Sequence, residues 1–178
     1  MNKTILVLCL TSSVFLLSTQ SHSQQYSPIP VETVEGADAD ATINANEDGV
    51  VSATKDGVAI GGYDPVAFFE QNAAVVGEPE YSCGYLGKTW HFTSKENRDK
   101  FLASPESFTP QFGGFCAHSL NRGEVVEADP EAFLVRDDKL YFYAEDSLRD
   151  RELRRSDIDF GDLNNKRKAN WSEYKLGF

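Results

Sequence analysis

The stretch from Tyr81 to Thr93 constrains the fold more than any other. Tyr81, Cys83 and Tyr85 alternate with small residues, Gly87 follows, and Trp90 and Phe92 alternate again. Period-two alternation on both sides of a glycine predicts an antiparallel hairpin. Loop length then decides the faces, because a slip of one residue turns every side chain over. A two- or four-residue loop sets Cys83 across from Trp90 or Phe92, gathers the aromatics on one face and sends His91 to the other. A three-residue loop opposes Cys83 to His91 and splits the aromatics. The first arrangement buries more apolar surface, so Cys83 is expected in the core.

Signals on either side extend this hairpin into an α+β domain. Val50 to Thr54, Asp56-Gly57 and Val58 to Ile60 predict a short hairpin, since Asp-Gly suits a tight turn. Asp64 and Pro65 give an N-cap and a first helical residue, with Val66 and Phe69 facing inward. Ser94 caps a helix to about Ala103, with Lys95, Glu96, Arg98, Asp99 and Lys100 on its wet side and Phe101 and Leu102 on its apolar side. Ser104-Pro105-Glu106 repeats the cap-and-proline signal, and Asp129-Pro130 predicts a further helix start. Phe133 to Val135, a turn at Asp137-Asp138 and Leu140 to Tyr143 read as a second hairpin, apolar on both faces and so expected inside the sheet. From Asp146 to about Tyr174 the chain predicts one or two helices, supported by the Asp150–Arg154 spacing and a stripe of Leu163, Trp171 and Tyr174. Lys166-Arg167-Lys168 reads as a solvated helix face.

The first 23 residues read as a secretory signal peptide. Lys3 precedes an apolar run from Ile5 to Leu17, and Ser21-His22-Ser23 supplies small residues before a cleavage at Gln24. The run is shorter than the roughly 20 residues that span a bilayer. The mature chain is therefore expected to be exported, periplasmic or secreted, with no membrane span. Residues 24–54 carry Glu32, Glu35, Asp38, Asp40, Glu47 and Asp48 with no Lys or Arg, and read as a disordered acidic tether. That leaves residues 55–178 as the folded domain. The formal charge of −11 argues against a nucleic-acid partner, whose phosphates require a basic surface.

Candidate chemistry concentrates in Thr109-Pro-Gln-Phe-Gly-Gly-Phe-Cys-Ala-His118. A thiolate and an imidazole are good ligands for copper or zinc. Cys116 and His118 point the same way if the segment is extended and diverge if it is helical. His91 and Cys83 complete the set of candidate metal ligands. The alternative is a buried Cys116 that acts as a small hydrophobe beside a glycine-enabled turn. In an oxidising compartment a Cys83–Cys116 disulfide is a third use, closing a loop of about 34 residues and stabilising the fold by about 3–4 kcal/mol. Catalysis is not expected. A Cys116 nucleophile with His91 or His118 and Asp64 lacks a Cys-x-x-Cys partner and any oxyanion element. Gly61-Gly62 and Gly113-Gly114 match no phosphate loop.

Four blocks resemble exported YHS-domain proteins: Gly61-Gly-Tyr-Asp-Pro-Val-Ala-Phe-Phe69, Gly87-Lys-Thr-Trp-His-Phe-Thr-Ser94, Glu96-Asn-Arg-Asp-Lys-Phe101 and Gly113-Gly-Phe-Cys-Ala117. The resemblance covers about residues 56–175, with the blocks in the family's order. It implies a treble-clef-like hairpin and helix, often linked to heavy-metal handling through paired cysteines. This chain departs from the metal-handling pattern, with Thr93-Ser94 at the hairpin-to-helix junction and no cysteine in the helix. Cys116 matches the cysteine of the exported branch, whereas Cys83 and His118 are particular to this chain. The expectation is a YHS-type α+β protein, a non-enzymatic metal-binding or metal-sensing accessory with a copper or zinc ion as partner. The other reading is a structural or protein-interaction domain without metal.

Overall fold

In the computed structural model the described residues are 42–43, 51–52 and 56–177. Among them the architecture is α+β, with two antiparallel hairpins and five helices. The first hairpin joins β2 (Glu78–Tyr85) to β3 (Lys88–Phe92). Its loop has two residues, Leu86 and Gly87, both at positive φ (51° and 67°), the backbone that a type I′ turn requires. The register sets Cys83 opposite Trp90 and Ser82 opposite His91. The aromatics accordingly share one face, where Phe101 of α2 (Lys95–Ala103) meets Trp90 at 5.1 Å, Phe92 at 5.2 Å and Tyr85 at 5.5 Å. The Trp90 indole N–H is buried there and donates to Tyr85 O at 2.9 Å.

One carboxylate ties this hairpin to two helices. Asp64 caps α1 (Pro65–Glu70), its Oδ1 accepting from the N–H groups of Val66 and Ala67. Its Oδ2 accepts from Thr93 N (2.8 Å), Thr93 Oγ1 (2.7 Å) and Asn97 Nδ2 (2.7 Å). Asp64 is fully buried, yet hydrogen-bonded on every side, which is the condition for keeping such a group in a core. In α1 the deepest aromatic is Phe68, with Phe69 half-buried. Arg98, expected on the wet side of α2, is buried as well.

The second hairpin pairs β4 (Asp129–Arg136) with β5 (Lys139–Tyr143) through Asp137 and Asp138, again both at positive φ. It forms its own two-stranded sheet instead of joining the first. Both of its faces are nonetheless covered. Leu140 and Phe142 enter the cluster with Phe68, Trp90 and Phe101, while Tyr141 and Tyr143 enter a second with Cys116, Leu120 and Phe160. The helix start expected at Asp129-Pro130 is a strand. Asp129 Oδ1 accepts from Glu131 N at 3.0 Å, a local bend, and the continuous apolar run from Ala132 to Val135, paired with β5, then prevails over the cap signal.

The C-terminal part is two helices, α4 (Asp146–Leu153) and α5 (Asp157–Leu176), the latter capped by Ser156 Oγ. Asp150 pairs with Arg149, not Arg154. Phe160 is the buried anchor of α5, meeting Tyr141 at 5.4 Å, and Arg167 is fully buried. Between β3 and β4 lie the four-residue α3 (Pro105–Phe108) and 3-10 turns at Gln111–Gly114 and Ser119–Arg122.

At the N-terminal end, β1 (Thr42–Ile43) pairs in parallel with Gly84 and Tyr85 of β2, and Val51 is buried. The edge of β2 offers the backbone groups for this pairing, and the rest of residues 24–54 apart from Ser52 lies outside the described residues. The expected Val50–Ile60 hairpin falls partly outside the described residues, Val50 and 53–55 among them. Ile60 N donates to Ser52 O, Val58 bridges to Thr89, and residues 60–62 turn as a 3-10 helix. The expected signal peptide also lies outside the described residues. No helix among the described residues is long and apolar enough to cross a membrane.

Candidate functional site: the glycine turn and the cleft beside it

The stretch from Thr109 to His118 faces three different surroundings. Its centre is strained. Phe112, Gly113 and Gly114 have φ of 56°, 63° and 81°, three left-handed residues in a row. Ile60, Gly61 and Gly62 repeat the pattern at 42°, 68° and 83°. A left-handed non-glycine residue costs roughly 1–2 kcal/mol, and a β-branched one such as Ile60 is a rarity. The two turns meet, since a Cβ on Gly114 would lie 3.2 Å from Ile60 Cγ2. Ser52 N donates to Gly113 O at 2.8 Å and closes the contact from above. Between the turns is a pocket of about 150 Å³, floored by Phe142 and edged by the Ser52–Glu127 hydrogen bond.

Beyond the turn, the segment carrying Cys116 and His118 runs into the core. Cys116 bridges to Phe142 of β5, its N–H donates to Val126 O, and its Sγ accepts from Ser119 Oγ at 3.4 Å. It is fully buried in the second cluster. Cys83 is 2 % exposed in the first cluster, and burial pushes its thiol up to about 12. Both cysteines are free. The Cys83–Cys116 disulfide is therefore not formed, and its sulfurs belong to different clusters. His91 is half-buried on the opposite face of the hairpin from Cys83, near Gly62, and burial lowers its pKa. His118 Nδ1 is 3.1 Å from Glu152 Oε1. Cys116 and His118 are thus neighbours in sequence, each already partnered, while Cys83 and His91 lie elsewhere. Among the described residues no three His, Cys, Asp or Glu side chains converge on one point.

His118 belongs to a buried ion cluster that sequence reasoning missed. Glu152 of α4 is fully buried, with Arg167 Nη2 at 2.8 Å and Arg155 Nε at 3.1 Å from its Oε2. These are ion pairs by distance but off the line of a good hydrogen bond. Arg167 Nε donates to Asn121 Oδ1 at 2.9 Å, and its guanidinium lies 5.3 Å from the Phe160 ring. Burial alone would push the Glu152 carboxyl up. Arg167 first, then His118 and Arg155, more than offset this and hold it below the ordinary carboxylate range. The cluster clamps α4 and α5 onto the Ser119–Arg122 turn. Its sequence signal is helical spacing: Phe160, Asn164, Arg167 and Trp171 fall on one stripe, so Arg167 sits among inward residues.

On the other side of the turn, Thr109 to Gly113 forms one wall of an open cleft of about 480 Å³. Lys168, Trp171, Ser172 and Lys175 of α5 form the opposite wall, and Val51, Tyr85, Leu86 and Glu106 complete the lining. Trp171 packs on Phe115 at 6.0 Å and stacks on Tyr174 at 5.4 Å, which fixes its ring at the cleft edge. Burial, with Glu106 nearby, raises the Tyr85 hydroxyl, so it stays a neutral hydrogen-bonding group. Comparison of the chain with family models, with curated proteins and with solved structures gives no match.

Proposed function

We propose that this chain is an exported, single-domain protein of the YHS type that works as a non-catalytic binding module, with its ligand seated in the cleft between Thr109–Gly113 and α5. The cleft itself carries this reading. It is of ligand size, for pockets run from roughly 300 to 1,000 Å³, and it joins aromatic walls to a few polar side chains. The blocks that resemble exported YHS proteins supply the hairpin, the capped helix and the glycine turn that ends the cleft wall. The leader-like layout of residues 1–23 supports export.

A copper or zinc site draws less support from the geometry. Its four candidate ligands are spread over both clusters and the far face of the hairpin, and the Cys116 thiol and the His118 imidazole already serve buried contacts. Two experiments test the choice. Equilibrium dialysis against Zn(II) or Cu(I) is expected to leave less than one bound ion per chain that depends on Cys116. Stoichiometric uptake lost in Cys116→Ser would return the function to metal. In a thermal-shift screen of small organic compounds, hits are expected to lose their effect in Trp171→Ala and keep it in Cys116→Ser.

A further inference from the structure

We infer that the cleft selects a small organic acid, with a flat apolar body against Trp171 and a carboxylate or phosphate held by Lys168 and Lys175. This rests on the reading above that the cleft is the binding site. Lys168, Trp171, Ser172 and Lys175 are spaced three, four and seven residues apart, so they form one face of α5. Along the axis the two lysines are separated by about 10 Å, with the indole midway. A planar ring on Trp171 therefore has an ammonium within a side chain's reach at either end.

The charges are placed against the trend of the molecule. The chain carries 28 acidic and 17 basic residues, yet this cleft presents two lysines to one carboxylate, Glu106. Lys95 and Lys100 spend their charge on Asp99 and Glu70. Lys168 and Lys175 have no carboxylate partner among the described residues. In a protein of net charge −11, two unneutralised cations lining one cleft favour an anion there.

The opposite wall sets the rest of the ligand. Pro110 and Phe112 are apolar, while Gln111 offers hydrogen bonds and the Thr109 hydroxyl is already held by Pro105 O. Glu106 repels a second acid at its end of the cleft and accepts from a hydroxyl or ammonium on the same ligand. Neither cysteine nor His118 lines the cleft, so no thiol or imidazole takes part in the binding.

The test is calorimetric titration of the purified protein with 1-naphthylacetate and 1-naphthyl phosphate, beside the neutral 2-(1-naphthyl)ethanol. Saturable 1:1 binding of the acids is expected, weaker for the alcohol and weakening with added salt. The Lys168→Ala/Lys175→Ala double variant should bind roughly tenfold less tightly, because two partly exposed ion pairs are removed. Lys166→Ala, which removes a lysine outside the cleft, should change nothing. If acids and alcohol bind equally, and both are lost in Trp171→Ala but not in the lysine variant, the anion preference falls while the cleft reading stands. If no probe binds the folded protein, or binding survives both Trp171→Ala and the lysine variant, both fall.

Discussion

Arg167 is a cation where the sequence invites a solvated one, between exposed Lys166 and Lys168, and yet none of it reaches water. Breaking a buried pair is costlier than removing it whole, because the survivor is left charged and unsolvated. Arg167→Ala should therefore lower stability by about 3–5 kcal/mol in urea denaturation, and Glu152→Met with Arg167→Met by much less. The same cluster sets a pH dependence. The folded Glu152 carboxyl lies below its ordinary 4.5, so its contribution is complete above about pH 4.5 and is lost as pH falls through the folded value. Thermal melts should show this acid limb flattened in Glu152→Gln. The thiols give a second residue-scale prediction. Cys83 and Cys116 should resist a thiol reagent in the native protein and both react once it is denatured, since they are buried and free. A missing pair of thiols after denaturation would mean a disulfide. The run Lys166-Arg167-Lys168 reads as a solvated face, which the buried Arg167 contradicts; only the Phe160–Trp171 spacing, passed over in that reading, made its burial legible. Its partner Glu152 was not legible, because nothing local links α4 to that stripe.

Among the elements, those fixed by local chemistry were readable and those fixed by neighbours were not. Leu86-Gly87 and Asp137-Asp138 set both hairpin registers, and Asp64, Ser94 and Pro65 set the starts of α1 and α2. Asp129-Pro130 carried the same cap signal and became a strand, because Asp129 bends the chain locally and the following residues find β5 to pair with. The second hairpin forms a separate sheet because its two apolar faces are covered by different clusters, a tertiary fact. The twin left-handed turns test how tightly elements meet. Gly87→Ala projects into open space and should cost only the backbone penalty, about 1 kcal/mol. Gly114→Ala pays the same penalty and also crowds Ile60 and Pro110, so it should cost distinctly more, about 2–4 kcal/mol by chemical denaturation. Asp64→Asn should destabilise by about 2 kcal/mol, since its amide turns a donor toward Thr93 or Asn97 in place of an acceptor.

At the scale of the molecule, β5 divides two clusters, and that division decides the chemistry. Cys83 falls on one side and Cys116 on the other, so the pair that looked available in one dimension is separated in three. The glycine turn kept the central position its sequence promised, but through its outer wall and not through its cysteine. The cleft unites Thr109–Gly113 with Lys168–Lys175, segments more than fifty residues apart, and no periodicity announces such a meeting. An amide NMR titration of the isotope-labelled protein, first with 1-naphthylacetate and then with Zn(II), separates a ligand cleft from a metal site. The acid is expected to shift Gln111 to Gly113 and Lys168 to Lys175 together, and zinc to leave Cys116 to His118 undisturbed. Zinc-induced shifts centred on Cys116 and His118, with the cleft silent to the acid, would contradict the cleft reading.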